Sequence, residues 1–245
     1  MKIGIAFLLW IPLSAHADAT TELRTTLAQL TATTPVHGTF EVTSTSNNSD
    51  EAQASTGKAS ALFNADDAGL HITYPKAMLT QANQEARAEA VDPERQTPVR
   101  SAMGRIRALN VASLLDAASM LATGLIGAQL IDTTSANYRG RPARLMTLKL
   151  NPKMSKGTSK HVKSIDAKMS VWLGDDGVPV GAESTVTVKA SFMLMSFISD
   201  QKESWTLGRV GDRLIATRHD STQKSDGMGQ HGSTQVTEVL LVQER

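Results

Sequence analysis

The chain is expected to fold as an α+β protein in which one large antiparallel sheet carries helices on one face. Three observations predict it. Short alternating apolar/polar stretches open the chain. Two helical patterns, 76–95 and 110–125, interrupt them. From Ala128 onward, strand-like segments follow one another through tight turns, and consecutive hairpins build one sheet whose apolar face needs a cover.

In chain order, Met1-Lys2 and the apolar run from Ile3 to Leu13 are too short to span a bilayer as a helix, and Ala15-His16-Ala17 has small-x-small spacing. Residues 1–17 therefore read as a signal peptide. The mature chain would start at Asp18, with Ala19 as a rival start, and would be exported, most simply to a bacterial periplasm. The sequence contains no Cys, so neither a disulfide nor a lipidated N-terminal cysteine is available. Of 25 basic residues the signal holds only Lys2, which leaves 24 against 24 acidic ones, a net charge of 0 that offers no footprint for nucleic acid. No linker-like composition divides residues 18–245, which read as a single domain with no transmembrane segment.

Leu23, Leu27 and Leu30 mark one face of a helix over 20–32. Val36, Gly38, Phe40 and Val42 alternate with polar residues as a half-buried strand. The strand returns after the turn cluster at 47–50 as 59–63, and Asp66-Asp67-Ala68-Gly69 turns it into 70–74, which Pro75 stops. Lys76 to Arg95 reads as a polar, exposed helix. Asn110 to Leu125 reads as a second helix, capped by Asn110, with Val111, Leu114, Leu115, Ala118, Leu121 and Leu125 on one stripe. Hairpins are expected at Arg139-Gly140-Arg141-Pro142 and at Gly174-Asp175-Asp176-Gly177, and 202–207, 213–222 and 234–242 complete the strands.

Val178 to Phe197 reads as one long strand whose end is apolar on both faces. Val186, Val188, Ala190, Phe192 and Leu194 share one face; Met193, Met195 and Phe197 fall on the other. Either this is a central strand covered on both sides, with Met filling gaps, or one face lines an apolar cavity.

Motifs for catalysis are weak. Gly227-Met228-Gly229-Gln230-His231-Gly232 spells the dinucleotide-loop pattern, but strand-like residues lie on both sides, so it reads as a hairpin loop and no cofactor is expected. His219-Asp220-Ser221 are strand neighbours that point to opposite faces, so they cannot form a relay. His219 and His231 could meet across the last hairpin, yet two ligands do not make a metal site. Asp66-Asp67 and Asp175-Asp176 read as turn residues bonding their own backbone. Lys153, Lys156, Lys160 and Lys163 form a solvated basic run, or else a docking patch for an acidic partner. The chain is read as a non-enzyme.

The order of elements, with the strand opening Pro35-Val36-His37-Gly38-Thr39-Phe40 and the turns Tyr138-Arg139-Gly140-Arg141-Pro142-Ala143 and Val171-Trp172-Leu173-Gly174-Asp175-Asp176-Gly177-Val178-Pro179, resembles the LolA/LolB-like superfamily of periplasmic lipoprotein carriers. The resemblance implies a curved sheet, an incomplete β-barrel, with helices on its concave face and acyl chains of a lipid or lipoprotein held between them. The ligand-binding residues expected on that reading are Leu114, Leu115, Ala118 and Leu121 from the helix and Met193, Met195 and Phe197 from the strand. Because some members of the superfamily are envelope-stress regulators, the alternative is a non-catalytic interaction module whose sheet edge or Lys153–Lys163 loop binds another envelope protein.

Overall fold

The computed structural model describes residues 15–48, 54–153, 161–192, 195–227 and 230–244. Helix α1 (Ala15–Ala28) leads into β1 (Val36–Asn48), β2 (Ser55–Asp66) and β3 (Gly69–Thr73). Four helices follow, α2 (Lys76–Val91), α3 (Pro98–Met103), α4 (Ala108–Leu115) and α5 (Ala117–Gly124). Then come β4 (Gln129–Tyr138), β5 (Arg141–Lys149), β6 (Val162–Leu173), β7 (Pro179–Phe192), β8 (Met195–Val210), β9 (Arg213–Gly227) and β10 (Gln230–Glu244). The expected signal segment falls mostly on residues 1–14, outside the described residues, and Ala15–Ala17 open α1. Among the described residues no helix is long and apolar enough to cross a membrane.

All ten strands form one open, curved antiparallel sheet in the order β3-β2-β1-β10-β9-β8-β7-β6-β5-β4. The closing pair of the chain order is β1 with β10, joined from Val36↔Glu244 to Asn48↔Gly232. The topology explains the cover. The sheet's edges are β3 and β4, and the connection between these two strands is the helical segment, so the chain must cross from one edge to the other over one face. Accordingly α3 packs on β1 and β2, α4 on β3 and β9, α5 on β9, and α1 on α5 and β4.

Alternation decides which side chains meet that cover. Phe40 and Val42 of β1, Ala61 and Phe63 of β2, Met146 and Leu148 of β5, Val171 and Leu173 of β6 and Leu240 of β10 are all buried in one core with Leu23 and Leu27 of α1. The expected turns form for the expected reasons. Arg139 and Gly140 both take positive φ, 52° and 81°, between β4 and β5, and Gly177 takes 75° between β6 and β7. Asp66 accepts from Ala68 N at 3.0 Å and Asp176 from Val178 N at 3.0 Å, so both are turn residues.

Several boundaries differ from expectation. The first helix ends at Ala28, and Thr31, Thr33 and Thr34 instead bond to Asp212 in the β8–β9 turn. The second helical pattern is two helices: Asp116 interrupts it at φ −130° and ψ 62°, accepting a hydrogen bond from Ser119 N at 3.1 Å as the N-cap of α5. The apolar stripe survives the break, because the cap reorients the backbone while all six residues stay buried. Asn110 is not a cap; it lies inside α4 and its Nδ2 donates to Arg105 O at 3.1 Å. α2 has no buried residue, yet it is anchored: Glu85 accepts from Val99 N (3.2 Å) and Arg100 N (2.8 Å) at the start of α3, and Glu89 pairs with Arg100.

The long strand read over 178–197 is two strands. The chain reverses between Phe192 and Met195, which are cross-strand partners.

Candidate functional site

The apolar stripe of α4 and α5 is buried where the helix layer meets the sheet. Leu114, Leu115, Ala118 and Leu121 are 3%, 2%, 1% and 1% exposed, all inside the main core. The strand half of the expected site lies elsewhere. Met193 is outside the described residues, and Met195, whose side chain is also outside them, opens β8. Phe197 is half-buried on β8 opposite Gly227, where a Cβ would come within 2.6 Å of its ring. Phe197 is eight residues from Trp205 on the same strand, roughly 26 Å at about 3.3 Å per residue. The fold does not bring it to the α4–α5 stripe, since the hairpin carries it to the far end of the sheet.

What does lie under α4 is a cavity of about 410 Å³, lined by Leu114 and Met120 but otherwise largely polar. Its floor comes from three adjacent strands. On the helix-bearing face Trp205 of β8 stands beside His219 of β9, and His219 stands beside Glu238 of β10. Glu203 and Ser221 are the next inward pair. The imidazole of His219 lies flat on the Trp205 indole, centroids 5.1 Å apart and planes 5° from parallel. Its Nδ1 is 2.8 Å from Glu238 Oε2. A carboxylate accepts, so this bond is donated by Nδ1–H. Nε2 has no hydrogen-bond partner and stands 3.9 Å from Glu203 Oε1. Glu203 accepts in addition from Gln201 Nε2 at 3.0 Å and from the buried Ser184 Oγ at 3.4 Å. Arg105 and Asn110 reach the same cavity from the helix side.

Chemically, His219 oriented by Glu238 is the base half of a relay, but no hydroxyl bonds its Nε2. Ser113 Oγ donates instead to Asn110 O at 2.8 Å. Asp220 points to the opposite face, where Arg218 donates to it through Nε (2.6 Å) and Nη2 (2.7 Å) and Thr237 through Oγ1 (2.7 Å). Burial pushes the Asp220 carboxyl up, but the bonds from Arg218 and Thr237 outweigh it and hold the group below the usual range. His219 and His231 do not approach each other. His231 pairs in register with Asp226, seven positions along β9 from His219, and its Nδ1 lies 3.2 Å from Asp226 Oδ2. Among the described residues no group of three His, Cys, Asp or Glu is placed to hold a metal ion. The glycine motif is a hairpin, Gly227 facing Gln230, with Met228 and Gly229 outside the described residues. Of the basic run, Lys153 and Lys163 are exposed and 154–160 lie outside the described residues.

Sequence reasoning passed over Glu203 and Glu238. One signal was present: Glu238 sits between Val236 and Leu240 at the inward parity of its strand, where alternation asks for an apolar residue. Apolar Val239 and Leu241 on the other parity hid it.

No family model matches the chain. No curated protein matches it. Among solved structures it is similar to MucB, seen in a crystal structure of MucB in complex with MucA(peri), at 10% identity over 92% of this chain and 93% of that one, with a TM-score of 0.20. At that TM-score the likeness carries no argument about what this chain does.

Proposed function

We propose that the protein is an exported, non-catalytic binding module of the bacterial envelope, working by holding another envelope protein against its open sheet. The observation that carries this reading is the state of the helix–sheet interior. Under α4 and α5 it is either closed, with Leu115, Ala118 and Leu121 at 2% exposure or less, or it is a cavity walled by Glu203, His219, Glu238 and Arg105. A methylene chain laid on the buried Glu238 and the half-buried Glu203 would strip water from their carboxylates without offering them a donor, which opposes what the chain gains by burial. The edge strand β4 supports the module reading. It pairs with β5 alone among the described residues, it runs Gln129–Tyr138 without Lys or Pro, and free edges of that kind accept an added strand.

A second reading, the acyl-chain carrier, draws on one feature. On the helix-bearing face, which on this reading is concave, Ile165, Val186, Val188, Ala190 and Phe197 form a half-buried apolar stripe beyond the α4–α5 stripe, where a lipid or lipoprotein acyl chain would lie. The two readings separate in one experiment. Purified mature protein is titrated with a fluorescent fatty acid and examined by native mass spectrometry, while a photo-crosslinker at Ser135 on β4 is activated in the periplasm. The module reading expects no saturable fatty-acid binding and a discrete cross-linked protein. Co-purified lipid, with binding weakened by Phe197→Ser, would replace it with the carrier.

A further inference from the structure

We propose that the free edge of β4 is a self-association surface, on which a second copy of this chain pairs antiparallel and extends the sheet across a two-fold axis at Ala136. The inference rests on the same open edge that supports the binding-module reading, and it names the occupant of that edge. The β4–β5 turn shows which groups are free. Arg139 and Gly140 form a two-residue turn with positive φ at both positions, so the flanking Tyr138 and Arg141 are a hydrogen-bonded pair of the ladder. Counting back by twos, Ala136 and Thr134 also bond to β5, whereas Asn137, Ser135 and Thr133 turn their N–H and C=O groups to the edge. Thr133 N agrees with this phase, since it donates to the Asp132 carboxylate at 2.8 Å. Beyond it, the irregularity between Leu130 and Asp132 ends the regular edge.

The free stretch is complementary to itself. With Ala136 on the axis, Ser135 of each copy faces Asn137 of the other, and each such pair exchanges both of its backbone hydrogen bonds without disturbing the bond from Thr133 to Asp132. The charges match as well. Asp132 lies four positions before Ala136 and Gly140 four positions after it. The carboxylate of one copy therefore falls beside the Arg139-Gly140-Arg141 turn of the other, and the axis repeats the contact at the opposite end. Asp132 and Arg141 are exposed, and neither makes an ion pair with a described residue. The basic turn is held in place before any partner arrives: Arg139 Nη2 donates to Thr206 Oγ1 at 2.6 Å, and its guanidinium lies 5.7 Å from the centre of the Tyr138 ring. A second copy supplies the opposite charge at both ends of the pairing by symmetry alone.

The chain contains no cysteine, so a single introduced thiol reports on one contact. In the paired register the two Ala136 Cα atoms form a non-hydrogen-bonded pair about 4.5 Å apart, inside the disulfide range of about 4.4–6.8 Å, while the two Thr134 Cα atoms are offset along the strands by roughly 13 Å. The mature Ala136→Cys chain should oxidise to a covalent dimer, and Thr134→Cys should not. Sedimentation equilibrium of the parent mature chain should show a reversible dimer that salt weakens. Ser135→Pro removes an edge donor that β5 does not use, so it should keep the thermal unfolding transition and lose the dimer. Asp132→Arg and Arg141→Asp should each weaken association by about tenfold, and the double reversal should return it to within about threefold of the parent. The inference is overturned by a parent chain that sediments as a monomer throughout, by equal oxidation of the two cysteine variants, or by a double reversal no better than the single ones. A cross-link from Ser135 to a different protein, with a monomeric parent chain, overturns the second copy and leaves the binding module standing. Saturable fatty-acid binding with no dimer overturns both.

Discussion

Strands β8 and β9 each run from an end beneath the helices to an end beyond them, and the two ends are held by different forces. Near the helices Trp205 and Leu207 are 7% exposed, Leu214, Ile215 and Ala216 1% or less, and all five join the core. Along the far end, 197–203 pairs with 221–227 in unbroken register, yet beyond Phe197 the inward residues include Ser199, Gln201, Gln223 and Ser225, and outward Ile198 is 41% exposed. The ladder is continuous; the burial is not. Backbone pairing therefore propagates a strand well past its core, but the stability resides where apolar area leaves water. Far-end contacts such as Thr187 Oγ1 to Asp200 (2.6 Å) and Lys202 to Glu183 (3.6 Å) are exposed, and contacts of that kind contribute little.

The sharpest test of this contrast is at Phe40, which is 0% exposed between Ala61 and Leu240. Phe40→Ala should cost about 3–5 kcal/mol in urea unfolding, the range for deleting a fully buried aromatic side chain. Next comes Gly57 on β2. A Cβ there would sit 1.8 Å from the carbonyl oxygen of Pro98, so α3 must shift, and Gly57→Ala should cost about 1–3 kcal/mol. A loss near zero would mean that α3 is not seated on β2.

Asp212 gives a pH-dependent test. Hydrogen bonds from the Thr31, Thr33 and Thr34 hydroxyls and from Thr33 N hold its carboxyl far below the usual range. A native value below the unfolded one means that the bonds stabilise the fold above the ordinary aspartate pKa of about 3.9, and that this contribution is lost as pH falls below it toward the native value. Asp212→Asn should lower Tm by about 2–4 °C at pH 7 and flatten the acid side of the Tm–pH curve. Equal acid slopes for the variant and the parent would remove Asp212 as their cause. The smallest effect belongs to the far end, where Thr187→Ala should change stability by no more than about 0.5 kcal/mol and far-end amides should exchange hydrogen faster than those beside Trp205. A cost approaching that of Phe40→Ala would collapse the distinction between the two ends.

Legibility in the sequence follows a similar division. The hairpins at Arg139-Gly140 and at Gly174–Gly177 were readable because a positive φ demands particular residues within the turn itself. The reversal between Phe192 and Met195 was not, since the intervening Met193 and Leu194 carry no turn signature and their apolar character prolongs the strand pattern. The break at Asp116 was missed because one capping side chain outcompeted an unbroken apolar stripe. The helix half of the expected site was legible as a buried face; its strand half was not, because it depended on that missed reversal.

By itself the sequence determined an α+β chain of amphipathic strands and helices, which residues face inward, and where the glycine turns fall. These are consequences of local sterics and of periods two and 3.6, written residue by residue. The tertiary structure alone decided that β1 closes against β10, that the helices cross the sheet from edge to edge, and that Glu203, His219 and Glu238 meet on three neighbouring strands. Periodicity states which face a side chain occupies. Which neighbour it finds there depends on strand order and register, and these are set jointly by contacts between residues far apart in the chain.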